Sequence, residues 1–96
     1  MITDVQVDGR SASRDSDLTG EVVFEAKTDD GGSYTVRRND GRNWTVTSAG
    51  TNAQIGTIHR IALSAQYKYT KTDAHIASGT QHDLWNAVES LVSLVD

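Results

Sequence analysis

The chain contains no cysteine. That removes disulfides, thiolate catalysis and cysteine-based zinc sites, and it leaves the redox compartment open. No stretch approaches the run of about 18 apolar residues that a membrane-spanning helix needs. The opening MITDVQVDGR lacks a basic segment followed by an apolar one, so no signal peptide is visible and a cytoplasmic location is expected. Enzyme signatures are missing too: there is no G-x-S-x-G, no glycine-rich phosphate loop and no H-E-x-x-H. Apolar residues are scarce at 36% of the chain, which implies a thin core under a polar surface. A pocket for catalysis is hard to enclose with so little, and the expectation is a protein that is not an enzyme.

What is present fits one domain, residues 1–96. The net charge of −4 opposes non-specific attraction to nucleic acid or anionic lipid. Ten Asp against three Glu supply the acid, and six Arg against three Lys the base.

The middle of the chain carries the clearest pattern. In GEVVFEAK, Val22, Phe24 and Ala26 alternate with Glu21, Glu25 and Lys27, with Val23 an exception on the polar side. Tyr34 and Val36 alternate with Thr35 and Arg37, and Trp44 and Val46 with Asn43, Thr45 and Thr47. A period of two marks half-buried strands. Asp30-Gly31 and Asp40-Gly41 separate the runs, and Asp-Gly tolerates the positive φ of hairpin turns. The reading is a β-meander over residues 20–27, 33–38 and 43–48, with residues 2–7 as a fourth strand at the sheet edge. Residues 8–19, DGRSASRDSDLT, hold two apolar side chains and read as a mobile loop.

The segment after the meander points two ways. Thr51 and Gln54 stand at capping-box spacing, and Ile55, Ile58, Ala62, Ala65 and Tyr69 fall on one helical stripe. Residues 61–70 also alternate as a strand would, with Tyr67-Lys-Tyr-Thr favouring strand and the earlier Ala, Leu and Gln favouring helix. Helix over about 52–68 is the reading taken; strand would give a more β-rich fold with one helix. Thr80 and Asp83 form a second capping signature ahead of Leu84, Val88, Leu91 and Val95, which predicts a helix over 81–95. The fold expected is therefore α+β: a three- or four-stranded antiparallel meander sheet with two helices packed on one face.

Few residues suggest chemistry. His59, His75 and His82 with Asp73 and Asp83 lack a compact ligand spacing, so no metal is expected, and no cofactor either. Asp15, Asp17, Thr19 and Gly20 resemble the start of an EF-hand calcium loop, but Ala26 stands where the bidentate Glu belongs. Arg37, Arg38 and Arg42 cluster at the second hairpin. The element order βββα resembles that of the arm-binding domains of phage integrases, which implies reading of DNA through the sheet face. Glu21, Glu25, Asp29, Asp30 and Asp40 offset those arginines. The expectation is thus a small acidic binding module with a protein partner, of the inhibitor or adaptor type found in bacteria and phages. Glu21, Glu25, Asp29 and Asp30 would face a basic partner, with Arg37 and Arg42 as a second patch. The alternative is a DNA- or RNA-binding module using the hairpin arginines. Self-association through a sheet edge, or through Trp85 and Leu94, is a further expectation.

Overall fold

A computed structural model describes residues 2–12 and 22–94. Its described strands are β1 (Ile2–Val7), β2 (Arg10–Ala12), β3 (Val23–Thr28), β4 (Ser33–Asp40), β5 (Asn43–Ser48), β6 (Gln54–Arg60), β7 (Tyr67–Lys71) and β8 (Gly79–Gln81). One helix follows, α1 (Leu84–Ser93). The strands form a single antiparallel sheet in the order β2-β1-β3-β4-β5-β6-β7-β8. The expected sheet of three or four strands under two helices is therefore wrong: the protein is mostly sheet, with one short helix.

The error has a local cause at β6. Its register with β5 shifts between Val46 and Thr47, so that Gly56 pairs with Val46 and Gln54 with Thr47, leaving Ile55 as an extra residue. Such a bulge turns two neighbours toward one side. Ile55, Gly56 and Ile58 are consequently all buried. An i, i+3 isoleucine pair that looks helical is the imprint of that bulge. Thr51 caps no helix; its hydroxyl accepts from Ala53 N at 3.3 Å within the β5–β6 turn.

The strands of the meander lie close to where alternation puts them. Across β1, β3, β4 and β5, Val5, Ala26, Tyr34 and Ser48 stand side by side. Phe24, Val36, Val46 and Gly56 form the next inward row, and Trp44, Ile58, Tyr69 and Gly79 the one after. Phe24, Trp44 and Val88 are buried in one cluster, as are Ile2, Val5, Leu84 and Leu91. Trp44 meets Tyr67 edge-on, with ring centroids 5.8 Å apart.

The turns use different devices. Asp8 and Gly9 both take positive φ, 53° and 79°, and join β1 to β2 with Val7 opposite Arg10. That is a two-residue hairpin of the mirror-image type. Part of the expected loop 8–19 is thus a hairpin strand; its remainder lies outside the described residues. β1 is not an edge strand, because β2 covers its far side. Gly31 has φ 89°, as Asp-Gly suggested, whereas the Asp40-Gly41 turn closes by an aspartate side chain: Arg42 N donates to Asp40 Oδ1 at 2.8 Å.

Helix α1 starts later than predicted, because Gly79–Gln81 pair with β7 as β8. Asp83 is the cap, accepting from Asn86 N at 2.7 Å, and Thr80 takes no part. The helix packs on β6, β7 and β8 rather than on the central meander. Leu91 is fully buried against Gly56, where an added Cβ would stand 2.6 Å from its Cδ1. On the other side, Ile2 N donates to Glu89 Oε2 at 3.4 Å. The sheet therefore curls far enough for β1, as well as β6–β8, to reach the helix. Glu89 and Ser90 are half-buried, and Ser90 Oγ accepts from Gln81 Nε2 at 3.1 Å.

Candidate interaction surface

With the concave side filled by α1 and the core, side chains at alternate strand positions cover the outer face. One outer row reads Gln6, Glu25, Thr35, Thr47, Gln54 across β1 and β3–β6. The next reads Val23, Arg37, Thr45, Thr57, Thr70 across β3–β7. A third contains Asn43, His59, Lys68 and Thr80. Threonine is suited to both demands of these positions: its β-branch fits the pleat and its hydroxyl faces water.

A shallow recess of about 420 Å³ opens in this face, lined by Thr35, Arg37, Asn39, Thr45, Thr47 and Asn52. A register shift between Arg38 and Asp40 leaves Asn39 as an extra residue. Asn39 Nδ2 donates to Thr45 Oγ1 at 2.6 Å, which leaves the Thr45 hydroxyl hydrogen free to turn outward. None of the lining residues is acidic.

Beside the recess runs a chain of polar contacts. Asn43 Nδ2 donates to both oxygens of Asp40 at 2.9 Å, and its Oδ1 meets His59 Nδ1 at 2.8 Å. Because the amide nitrogen is committed to Asp40, the amide oxygen must accept, so His59 Nδ1 carries the hydrogen of this bond. The backbone N–H of Arg42, then the Asn43 amide, hold the Asp40 carboxyl below its ordinary value of 3.8. Asp30 is likewise lowered, first by the Thr28 hydroxyl and then by Gly32 N, whose bond is 3.0 Å.

The residues singled out from sequence are not one patch. Glu25 and Arg37 share the outer face. Asp29 and Asp30 sit on the β3–β4 turn at one end of the sheet, and Arg42 sits on the β4–β5 turn at the other. Glu21 lies outside the described residues, as does most of the calcium-like stretch from Asp15. Trp85 is buried and so cannot join Leu94 on a surface; Leu94 is exposed alone. Among the described residues no group of three His, Cys, Asp or Glu is placed to hold a metal, and no helix is long and apolar enough to cross a membrane. Sequence reading missed the Asn39–Thr45 pair and the Asp40–Asn43–His59 chain. The alternation of Thr45 and Thr47 with buried residues was the available signal for that face. Comparisons with known proteins found no family model that matches the chain, no match among curated proteins and none among solved structures.

Proposed function

We propose that the chain is a non-enzymatic binding module of the inhibitor or adaptor type, and that it meets a protein partner through the outer face of β3–β7. The observation that carries this reading is the division of the sheet. One face is consumed by a core with α1 as its cover, and the other is a broad polar plane whose small hydroxyl side chains leave the recess beside Arg37 open. Glu25 and Arg37 on that plane offer both signs of charge, which suits a mixed protein surface better than a polyanion. His59 is oriented by an amide and, through it, a carboxylate, with no hydroxyl nucleophile bonded to it among the described residues. That favours a positioning role over catalysis.

The test is a blocking pair, Arg37→Glu and Thr45→Arg, on the recess. A partner recovered from host extract and then purified should bind the wild type and lose at least about tenfold in affinity to each variant, measured by calorimetry with unchanged melting temperature. Equal affinity for all three proteins would move the contact elsewhere. Arg37, His59 and Lys68 on one face favour a second reading, nucleic-acid binding. A labelled duplex retarded at about 50 mM salt and released steeply as salt rises would select it.

A further inference from the structure

The turn between β6 and β7 breaks the chemistry of the others. Asp8-Gly9, Asp29–Gly32, Asp40-Gly41 and Ala49–Asn52 supply the glycines, aspartates and asparagine that turns favour; residues 61–66 read Ile, Ala, Leu, Ser, Ala, Gln. Ser64 N donates to Ile61 O at 3.3 Å, which puts Leu63 at the third position of a tight turn. There it takes φ 64°, a left-handed conformation that a branched side chain adopts only against resistance. Leu63 is also fully exposed, so no burial offsets that strain. Arg60 and Arg42 flank it around a recess of about 480 Å³. Asp40, two residues before Arg42 in sequence, has its carboxylate turned onto its own turn.

The opposite end of β7 carries the complement. The β7–β8 turn presents Ile76, 81% exposed, three residues after Asp73 in the same turn. Strands alternate in direction, so the Asp29-Asp30 turn points the same way, and Thr72 N donates to Ile55 O at 3.0 Å to tie the β7–β8 turn to the start of β6. Lys71 is the cation at that end of β7. Each end of this one strand thus exposes an aliphatic side chain, one flanked by two arginines and the other on a turn that holds Asp73 just beyond Lys71.

We infer that copies of this chain associate head to tail, the Leu63 turn of one copy docking against the Ile76 turn of the next, with Arg60 and Arg42 facing Asp73. A contact between unlike ends is heterologous, so it repeats rather than closing as a symmetric pair. Two turn tips bury little surface, which places the association among weak, reversible ones.

The test uses two variants of the whole chain, each blocked at one end: Leu63→Asn with Arg60→Glu, and Ile76→Asn with Asp73→Asn. Sedimentation of the wild type up to about 1 mM should show a mass that climbs with concentration and falls on adding salt. Each variant alone should stay monomeric and still melt in one cooperative transition. Their equimolar mixture should give a 1:1 dimer and stop there, since one good end of each remains. A wild type that stays monomeric throughout, a blocked variant that still associates, or a mixture that does not dimerise would each overturn the inference.

Discussion

Replacing Gly56 with alanine probes the joint between sheet and helix. In an open strand the change would be favourable by about 0.5–1 kcal/mol, because glycine gives up more chain entropy on folding. Here the new Cβ meets Leu91 Cδ1 and the backbone oxygen of Thr70, both at 2.6 Å. The leucine cannot step aside, being fully buried between α1 and the sheet. The Thr70 oxygen cannot either, since Thr70 pairs with Thr57 in the β6–β7 ladder. Overpacking of this kind costs about 1–3 kcal/mol, and with two rigid walls the upper end applies. Subtracting the entropic gain leaves a net loss of about 2 kcal/mol. For a domain of this length that lowers Tm by roughly 8–16 °C. Urea melts followed by tryptophan emission suit the measurement, because Trp44 and Trp85 are both buried and shift red on exposure. Leu91→Ala should itself cost about 2–5 kcal/mol. The double variant should be less destabilised than the sum of the singles by about 1 kcal/mol, since removing the leucine relieves one of the two walls. A Gly56→Ala protein as stable as the wild type would refute the close approach of α1 to β6.

Three further outcomes are expected. Asp83→Ala should lower stability by about 1 kcal/mol through loss of the bond from Asn86 N, while Asp83→Asn retains most of it; equal melts for all three would discard Asp83 as the cap. Asp30 and Asp40 are held below 3.8 when folded, so their contribution is complete above that value and is lost as pH falls through the folded values. The melting temperature of the Asp30→Asn, Asp40→Asn double variant should therefore converge on that of the wild type in acid, and parallel curves down to about pH 2 would contradict the assignment. Leu63→Asn should stabilise the chain by about 1 kcal/mol, because asparagine adopts positive φ more readily; a thermal melt no higher than wild type would remove the claim of strain at that turn.

How far residues reveal their structure depends on whether one period rules. Phe24, Val36, Trp44 and Val46 were legible as core because each sits in an alternation with polar neighbours, Val23 beside Phe24 being the one exception. Leu84, Val88 and Leu91 were legible as the helix face by their spacing. Ile55 and Ile58 were not, since a bulge adds one residue and converts a period of two into a separation of three. Ala62 and Ala65 extended that false stripe from an exposed turn, where nothing required them to be apolar. β2 and β8 are three residues each, too short for any periodicity to register. Of the described surface residues named in advance, only Glu25 and Arg37 share a face. Charge alone carries no information on which end of a strand a turn occupies, so Asp29, Asp30 and Arg42 could be placed only with strand directions in hand.

The same feature that misled the helix reading is what gives the β6–β7 turn its weight. In a chain with 36% apolar residues, most of those that are large and apolar are committed to the core. Leu63 is not, and it stands in a backbone conformation for which glycine or asparagine would serve better. Folding gains nothing from that leucine and loses a little. The cost is local and small, within the range in which a surface position is tolerated without selection for stability. Ile76 repeats the exposure at the other end of β7 without the strain, since it is absent from the residues of positive φ. Stability therefore separates the two tips: relieving Leu63 should raise the melting temperature, and replacing Ile76 should leave it unchanged. If both substitutions abolish association while only one alters the fold's stability, the contact belongs to the surfaces and not to the folding of the chain.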